Sequence, residues 1–196
     1  KSIYFLVGEN ETSLMQSPLL EMYKKNNIEV LLMDDEVDEV IMPVITKYKD
    51  FDLKAVNRSG AADELKQDSE KVDEKEIKAL IKKIKKALGD RVKDVKISNR
   101  LSDSPSCLVA DENDPTAQMQ EIMRAMGQSG MPEIKPILEI NPEHEIVHKL
   151  SDMRKSKSFD DVTFLLYEQA LLQEGVKLEN PAEFVKRLNT VLAKSL

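Results

Sequence analysis

Three residues in this chain carry a spacing that could do chemistry: His144, Glu145 and His148, in the stretch NPEHEIVHKL. On a helix, H-E-x-x-H sets two imidazoles on one face. A glutamate beside them could act as base toward a metal-bound water. They are the only two histidines of the chain. Glu168, farther along, stands where a third ligand could come from. Three specified positions make a permissive pattern, however, and the single cysteine, Cys107, adds no further soft ligand. Cys107 lies in the apolar run SCLVA, which favours a buried, reduced thiol.

The element that must position these histidines is a helix beginning at Asn141-Pro142. An Asx side chain accepts from free backbone donors at a helix start, and proline in the first turn forfeits no bond. With Asn141 as cap, His144 falls in the first turn. Ile146, Val147, Leu150 and Met153 already give that helix an apolar face. The ordinary helix start is preferred; a zinc-dependent hydrolase and a purely structural dimerisation domain are kept as the alternative readings of the chain. No catalytic, cofactor-binding or metal residue is assigned. Asp114-Pro115 and Asn180-Pro181 repeat the same start, the last with Glu183 three residues on as in a capping box.

A second candidate site follows Asp114-Pro115. In PTAQMQEIMRAMGQSGM, four of the nine methionines fall between positions 119 and 131. Met119, Ile122, Met123 and Met126 follow the i, i+3, i+4, i+7 spacing of one helix face. Gln120, Glu121 and Arg124 take the opposite face, and Gly127, Gly130 and Pro132 read as a loose exit. Methionine specifies a core poorly but adapts to varied apolar shapes, so this face is either core or an adhesive surface.

Composition bounds what these sites can serve. The net charge is −7, with 33% charged and 41% hydrophobic residues, which argues for a globular chain and against a nucleic-acid partner. No apolar run reaches the length of a membrane span, so no membrane partner is expected. A reducing cytoplasm fits the cysteine usage. The chain starts in an apolar strand without methionine, which is expected of a piece of a longer protein.

Residues 1–66 alternate strand and helix signals. IYFLV, IEVLLM and FDLKAV read as strands. SPLLEMYKKNN, with Ser17 as cap and Pro18 as first residue, and DDEVDEVIMPVITKY read as helices; the latter carries Val37, Val40, Ile41 and Val44 at helical spacing. The order implies an α/β unit. Gly8 stands alone in VGENET, too little for a phosphate loop. The polar stretch 58–75 marks a boundary. Residues 67–196 then read as an α+β domain. A helix carries Ile77, Leu80, Ile81, Ile84 and Leu88 on one stripe and lysines on the other face, ending at Gly89. DVKISNRL, SCLVA and KPILEI read as strands. SFDDVTFLLYEQALLQEG is apolar on three sides, through Val162, Leu166 and Ala170, then Phe164, Tyr167 and Leu171, then Leu165 and Leu172. A helix apolar all round needs cover all round. NPAEFVKRLNTVLAKSL follows with Phe184, Leu188, Val191 and Leu192. A second copy of the chain could cover both helices in a four-helix bundle.

These stretches resemble a known family. SPLLEMYKKNNIEVLLMDDEVDE is similar to a late middle-domain segment of the heat-shock protein 90 chaperones, in their bacterial form. LGDRVKDVKISNRLSDSPSCLVADE, AQMQEIMRAMGQ, ILEINPEHEIVHKL, YEQALLQEG and NPAEFVKRLNTVL continue the match in order. The resemblance implies the end of a three-layer βαβ middle domain over 1–66, then a C-terminal dimerisation domain over 67–196 with a small sheet and a helical bundle interface. It implies a homodimer joined by the last two helices, with Leu165, Leu166, Leu172, Phe184, Leu188, Val191 and Leu192 at the interface. It makes Met119, Ile122, Met123 and Met126 the contact face for unfolded or partly folded client proteins. It implies an ATP-driven stress-response chaperone whose nucleotide site, with ATP and magnesium, precedes residue 1, so that this piece would be no enzyme. The ending AKSL lacks an acidic tail, so helical-repeat co-chaperones are not expected to dock.

Overall fold

The computed structural model describes residues 1–65, 74–127, 134–156 and 158–195. The expected boundary at 66/67 lies outside these residues, as do Gly130, Met131 and Pro132. In chain order the elements are β1 (Ser2–Val7), α1 (Glu11–Met15), α2 (Glu21–Lys25), β2 (Val30–Met33), α3 (Glu36–Ile41), β3 (Lys47–Tyr48), β4 (Phe51–Ala55), α4 (Glu74–Leu88), β5 (Asp94–Ile97), β6 (Ser106–Val109), α5 (Ala117–Ala125), β7 (Ile137–Ile140), α6 (Glu145–Asp152), α7 (Phe159–Gln173) and α8 (Pro181–Ser195).

The chain forms two compact units. The first comprises Lys1–Gln67, Asn99–Leu101 and Val109–Ile134, and the second Asp68–Ser98, Ser102–Leu108 and Lys135–Leu196. This grouping differs from a single division at 66/67, because two later segments fold back into the first unit. Arg100, 1% exposed, donates from Nη1 to the Val56 carbonyl and from Nη2 to the Arg58 carbonyl at 2.9 Å. The Ala110 N–H donates to the Asn57 carbonyl at 2.9 Å and Ser59 N–H to the Ala110 carbonyl at 2.8 Å. Backbone groups left over by β4 are thereby satisfied from a distant stretch of chain.

In the first unit the sheet order is β2-β1-β4-β3. β1 runs parallel to β2 and β4, and β3 is an antiparallel edge on β4. β1 is buried over its last four residues, as a central parallel strand is. Gly8, just past β1, has a packing role. A Cβ there would lie 2.6 Å from Leu14 Cδ2, and its N–H donates to the Met33 carbonyl at 3.0 Å. Ser17 caps the following turn, accepting from Leu19 N–H at 3.3 Å, with Pro18 next as the sequence suggests. In α3 and the turn that follows it, the expected apolar stripe faces outward. Val37, Val40, Ile41 and Val44 are exposed, and Glu39 is the buried residue.

In the second unit the sheet order is β5-β7-β6, with β5 and β7 parallel. β6 and β7 are buried throughout. α4 lays Ile77, Leu80, Ile84 and Leu88 into the core, where Val95, Leu108, Leu138, Ile140, Val147, Leu150, Phe159, Leu166 and Ala170 meet them. Gly89, at φ 57°, then takes the left-handed turn that ends α4, a conformation glycine adopts without strain.

Candidate functional site

The methionine face is built from the cap upward. α5 starts two residues later than Asp114-Pro115 suggests. Thr116 is its N-cap, and Thr116 Oγ1 accepts from the Met119 N–H at 3.1 Å. The same hydroxyl donates to Glu39 Oε1 on α3. The backbone carbonyls of Asp111, Glu112 and Asp114, just before the helix, receive Arg58 Nη1. On the face itself Met119, Ile122 and Met123 are half-buried. Met126 is the C-cap rather than a helical residue and is 75% exposed. Across the helix, Gln120 exchanges two hydrogen bonds with the backbone of Ile134, at 3.2 and 3.3 Å.

The histidine pair is not arranged as a zinc helix. α6 begins at Glu145, so His144 precedes the helix as its N-cap, with Nδ1 accepting from the Ile146 N–H at 3.1 Å. A nitrogen that accepts a backbone proton offers no lone pair to a metal. Asn141, expected as the cap, is buried at 3% exposure. It accepts from Glu143 N–H at 3.0 Å and donates to the carbonyls of Ser102 and Ser104. The helix start lies three residues beyond the expected one. Lys149 Nζ sits 2.6 Å from Glu145 Oε1, and this hydrogen bond holds the Glu145 carboxyl below the usual carboxylate range. Glu168 is engaged by Arg187 at 2.6 Å. Among the described residues no group of three or more His, Cys, Asp and Glu could hold a metal ion.

The last two helices pack on their own unit before any partner is considered. α7 contacts α4, α6 and α8. Leu166 belongs to the core, and Leu165 is buried too, at 6% exposure. Leu165 and Leu166, expected at an interface between copies, are thus already covered within their own unit. Ser106 Oγ donates to the Leu166 carbonyl at 3.1 Å, tying β6 to the middle of α7. Phe164 lies beneath two guanidinium groups, Arg187 at 4.5 Å and Arg91 at 5.0 Å from the ring centroid. What stays on the surface is Leu172 and Leu192, each 48% exposed, and Val185, 50% exposed. Phe184, Leu188 and Val191 are half-buried. α8 begins at Pro181 with Asn180 accepting from the Glu183 N–H at 3.1 Å, as the sequence indicates.

Apolar side chains thus stand on the surfaces of α5, α7 and α8, among them Met126, Leu172, Val185 and Leu192. The chain belongs to the heat-shock protein 90 family of chaperones: the family model described as Hsp90 protein matches residues 1–196. The "Chaperone protein HtpG" of Treponema denticola is 50% identical over 196 residues, covering 98% of this chain and 31% of that protein. The same-named protein of Treponema pallidum is 44% identical over 199 residues, covering 99% and 31%. That of Aliarcobacter butzleri is 47% identical over 200 residues, covering 100% and 31%. The chain thus spans about a third of the length of these relatives. The terms chaperone, stress response and protein folding go with this membership.

Two expectations are corrected by these matches. One set the nucleotide site before residue 1 and so denied this chain enzymatic activity; the other left ATP and magnesium to a missing domain. The family match takes in every residue from the first, and the shared length carries nothing that sets nucleotide chemistry outside it. Both placements are withdrawn. The label of C-terminal fragment goes with them, and no position within the relatives is assigned. None of the described helices is long and apolar enough to cross a membrane.

Proposed function

We propose that this chain is a chaperone segment that pairs with a second copy of itself and holds client protein on a methionine-bearing helix. The observation that carries the reading is the apolar surface on α7 and α8. Leu172, Val185 and Leu192 are each about half exposed, next to the half-buried Phe184, Leu188 and Val191. Side chains of this kind on two adjacent helices suit an isologous interface, in which each copy offers the same patch to the other. The interface then rests on Leu172, Phe184, Leu188, Val191 and Leu192, with Leu165 and Leu166 supporting α7 from beneath.

The client face is Met119, Ile122, Met123 and Met126. Methionine's unbranched, polarisable side chain suits clients of varied shape, and the exposure of Met126 supports an open end to that face. Two copies joined by α7 and α8 would offer two such faces to one client. Effective concentration would then raise avidity without a new contact. The cytoplasm, where unfolded chains accumulate, is the proposed compartment.

Light scattering of the purified chain at micromolar concentration tests the pairing, and a monomeric mass there would end it. Suppression of aggregation of an unfolded client by the chain, compared with a variant carrying serine at 119, 122, 123 and 126, tests the client face. The reading expects an intact dimer with weaker suppression. A melted first unit would mean that the face is core.

A further inference from the structure

The methionines of this chain differ widely in access to water, and among the described residues the most open one ends the proposed client face. Met126 is 75% exposed and Met15, at the end of α1, is 50% exposed; Met22 and Met42 are buried at 6% and 7%. Met119 and Met123, which share the face with Met126, are half-buried. The backbone sets this order. Met126 is the C-cap of α5, one residue past the last helical position, Ala125. Gly127 then turns the chain at φ 84°, and a Cβ built there would meet nothing within 4 Å. The thioether of Met126 therefore stands in open surroundings at the end of an apolar face.

Access decides which sulfur meets a dissolved oxidant first. Cys107, the single thiol of the chain, is 2% exposed and lies in an apolar strand, where a thiol is inert. That leaves the exposed thioethers. A hydroperoxide oxidises a thioether without any catalyst. The sulfur lone pair attacks one peroxide oxygen, and the S–O bond forms as the O–O bond breaks. Sulfur gives up two electrons to the peroxide, and the displaced hydroxide takes the proton of the transferred oxygen and leaves as water.

We infer that Met126 is a reversible oxidation site, first among the described methionines to react with peroxide, and that its sulfoxide loosens the client face. The site follows from access alone; its effect on client rests on the client face proposed above. Sulfoxide replaces a flexible apolar group by a polar, chiral one, which disrupts methionine-rich contacts. The helix itself is spared. Met126 lies past its last residue, and its N–H keeps its bond to the Ile122 carbonyl at 3.0 Å.

The test treats the full chain with graded hydrogen peroxide. Peptide mass mapping reads each methionine, and suppression of aggregation of an unfolded client is measured on the same samples. Met126 should be fully oxidised while Met22 and Met42 remain intact, with Met15 and then Met119 and Met123 in between. At that dose the far-UV spectrum should be unchanged. The chain concentration that gives half-suppression should rise about tenfold, the order expected when one methionine side chain no longer buries. Methionine sulfoxide reductase with dithiothreitol should restore both mass and suppression, the sulfoxide oxygen leaving as water while two thiols become a disulfide. Met126→Leu should lose no suppression at this dose relative to its own untreated sample, whereas Met15→Leu should lose it as the unmodified chain does. The site is overturned if Met126 reacts no faster than Met22 or Met42. The effect is overturned if suppression survives full oxidation of Met126, or if Met126→Leu loses it equally. A serine variant at 119, 122, 123 and 126 that suppresses as well as the unmodified chain would end the client reading and the effect with it, while the mapped order of oxidation still decides the site.

Discussion

Thr116 joins two helices through one hydroxyl: it accepts from the Met119 N–H at the start of α5 and donates to the buried Glu39 of α3, 77 residues away. The first turn of the methionine helix and a buried carboxyl therefore share a single atom. Thr116→Val removes both bonds at nearly constant shape. Loss of a cap and of a buried donor should cost the first unit about 1–3 kcal/mol in urea denaturation. Thr116→Ser should restore most of it. Equal stability of the valine and serine variants would show that the shared hydroxyl contributes nothing.

Arg100 holds the carbonyls of Val56 and Arg58 from a fully buried position. Arg100→Met fills similar volume but leaves both acceptors without that donor. Each unmet buried group costs about 1–3 kcal/mol, so the first unit should lose several kcal/mol or fail to fold. Hydrogen exchange at the Val56 and Ala110 amides should report the opening first. Unchanged protection there would refute the role.

Tyr4, Lys54 and Glu64 make a pH-dependent cluster. Lys54 Nζ lies 2.6 Å from Glu64 Oε1, and Tyr4 OH donates to Glu64 Oε2 at 3.0 Å. The Lys54 bond, then the Tyr4 bond, holds the Glu64 carboxyl below its ordinary 4.5. A lowered folded pKa contributes stability that is present above 4.5 and lost as pH falls through the lower folded value. Burial, then the Glu64 bond, raises Tyr4 above 10.0, and the Glu64 bond raises Lys54 above 10.5. Those contributions are present below the ordinary values and lost as pH rises through the raised ones. Stability of the first unit should be flat across neutral pH and fall at both ends. Glu64→Gln should flatten both limbs, measured by urea midpoint against pH; limbs parallel to the wild type would exclude the cluster.

His144 caps α6 through Nδ1. His144→Ala should cost about 1 kcal/mol, and His144→Asn, which offers a side-chain oxygen, should recover it. A metal role predicts the reverse order of interest: stoichiometric zinc in the purified chain, lost in both variants.

Core and surface leucines of the last helices should separate cleanly. Leu166→Ala should lower stability by about 2–5 kcal/mol, as large-to-small changes in a packed core do. If the chain pairs as proposed, Leu192→Glu should leave the melting curve of a dilute sample nearly unchanged and halve the mass seen by light scattering. A Leu192→Glu chain that remains dimeric would place the interface elsewhere.

Local chemistry made much of this molecule readable from its residues. The stripe of Ile77, Leu80, Ile84 and Leu88, the Ser17-Pro18 and Asn180-Pro181 starts and the glycine after α4 depend on neighbours within a turn or two. The ordered segments that resemble the chaperone family are likewise a property of sequence. The tertiary structure decided what depends on distant partners. Asn141, fixed by its amide to the carbonyls of Ser102 and Ser104, accepts from Glu143 N–H in the turn before α6, and the cap falls to His144. Glu39, rather than Val37 or Val40, went inside because a threonine far along the chain supplies its donor. Leu166 went to the core because α4, the small sheet and α6 close over it. Periodicity states which residues share a face. Which face is buried is settled by the free energy of the groups that meet it, and those groups are brought there only by the completed fold.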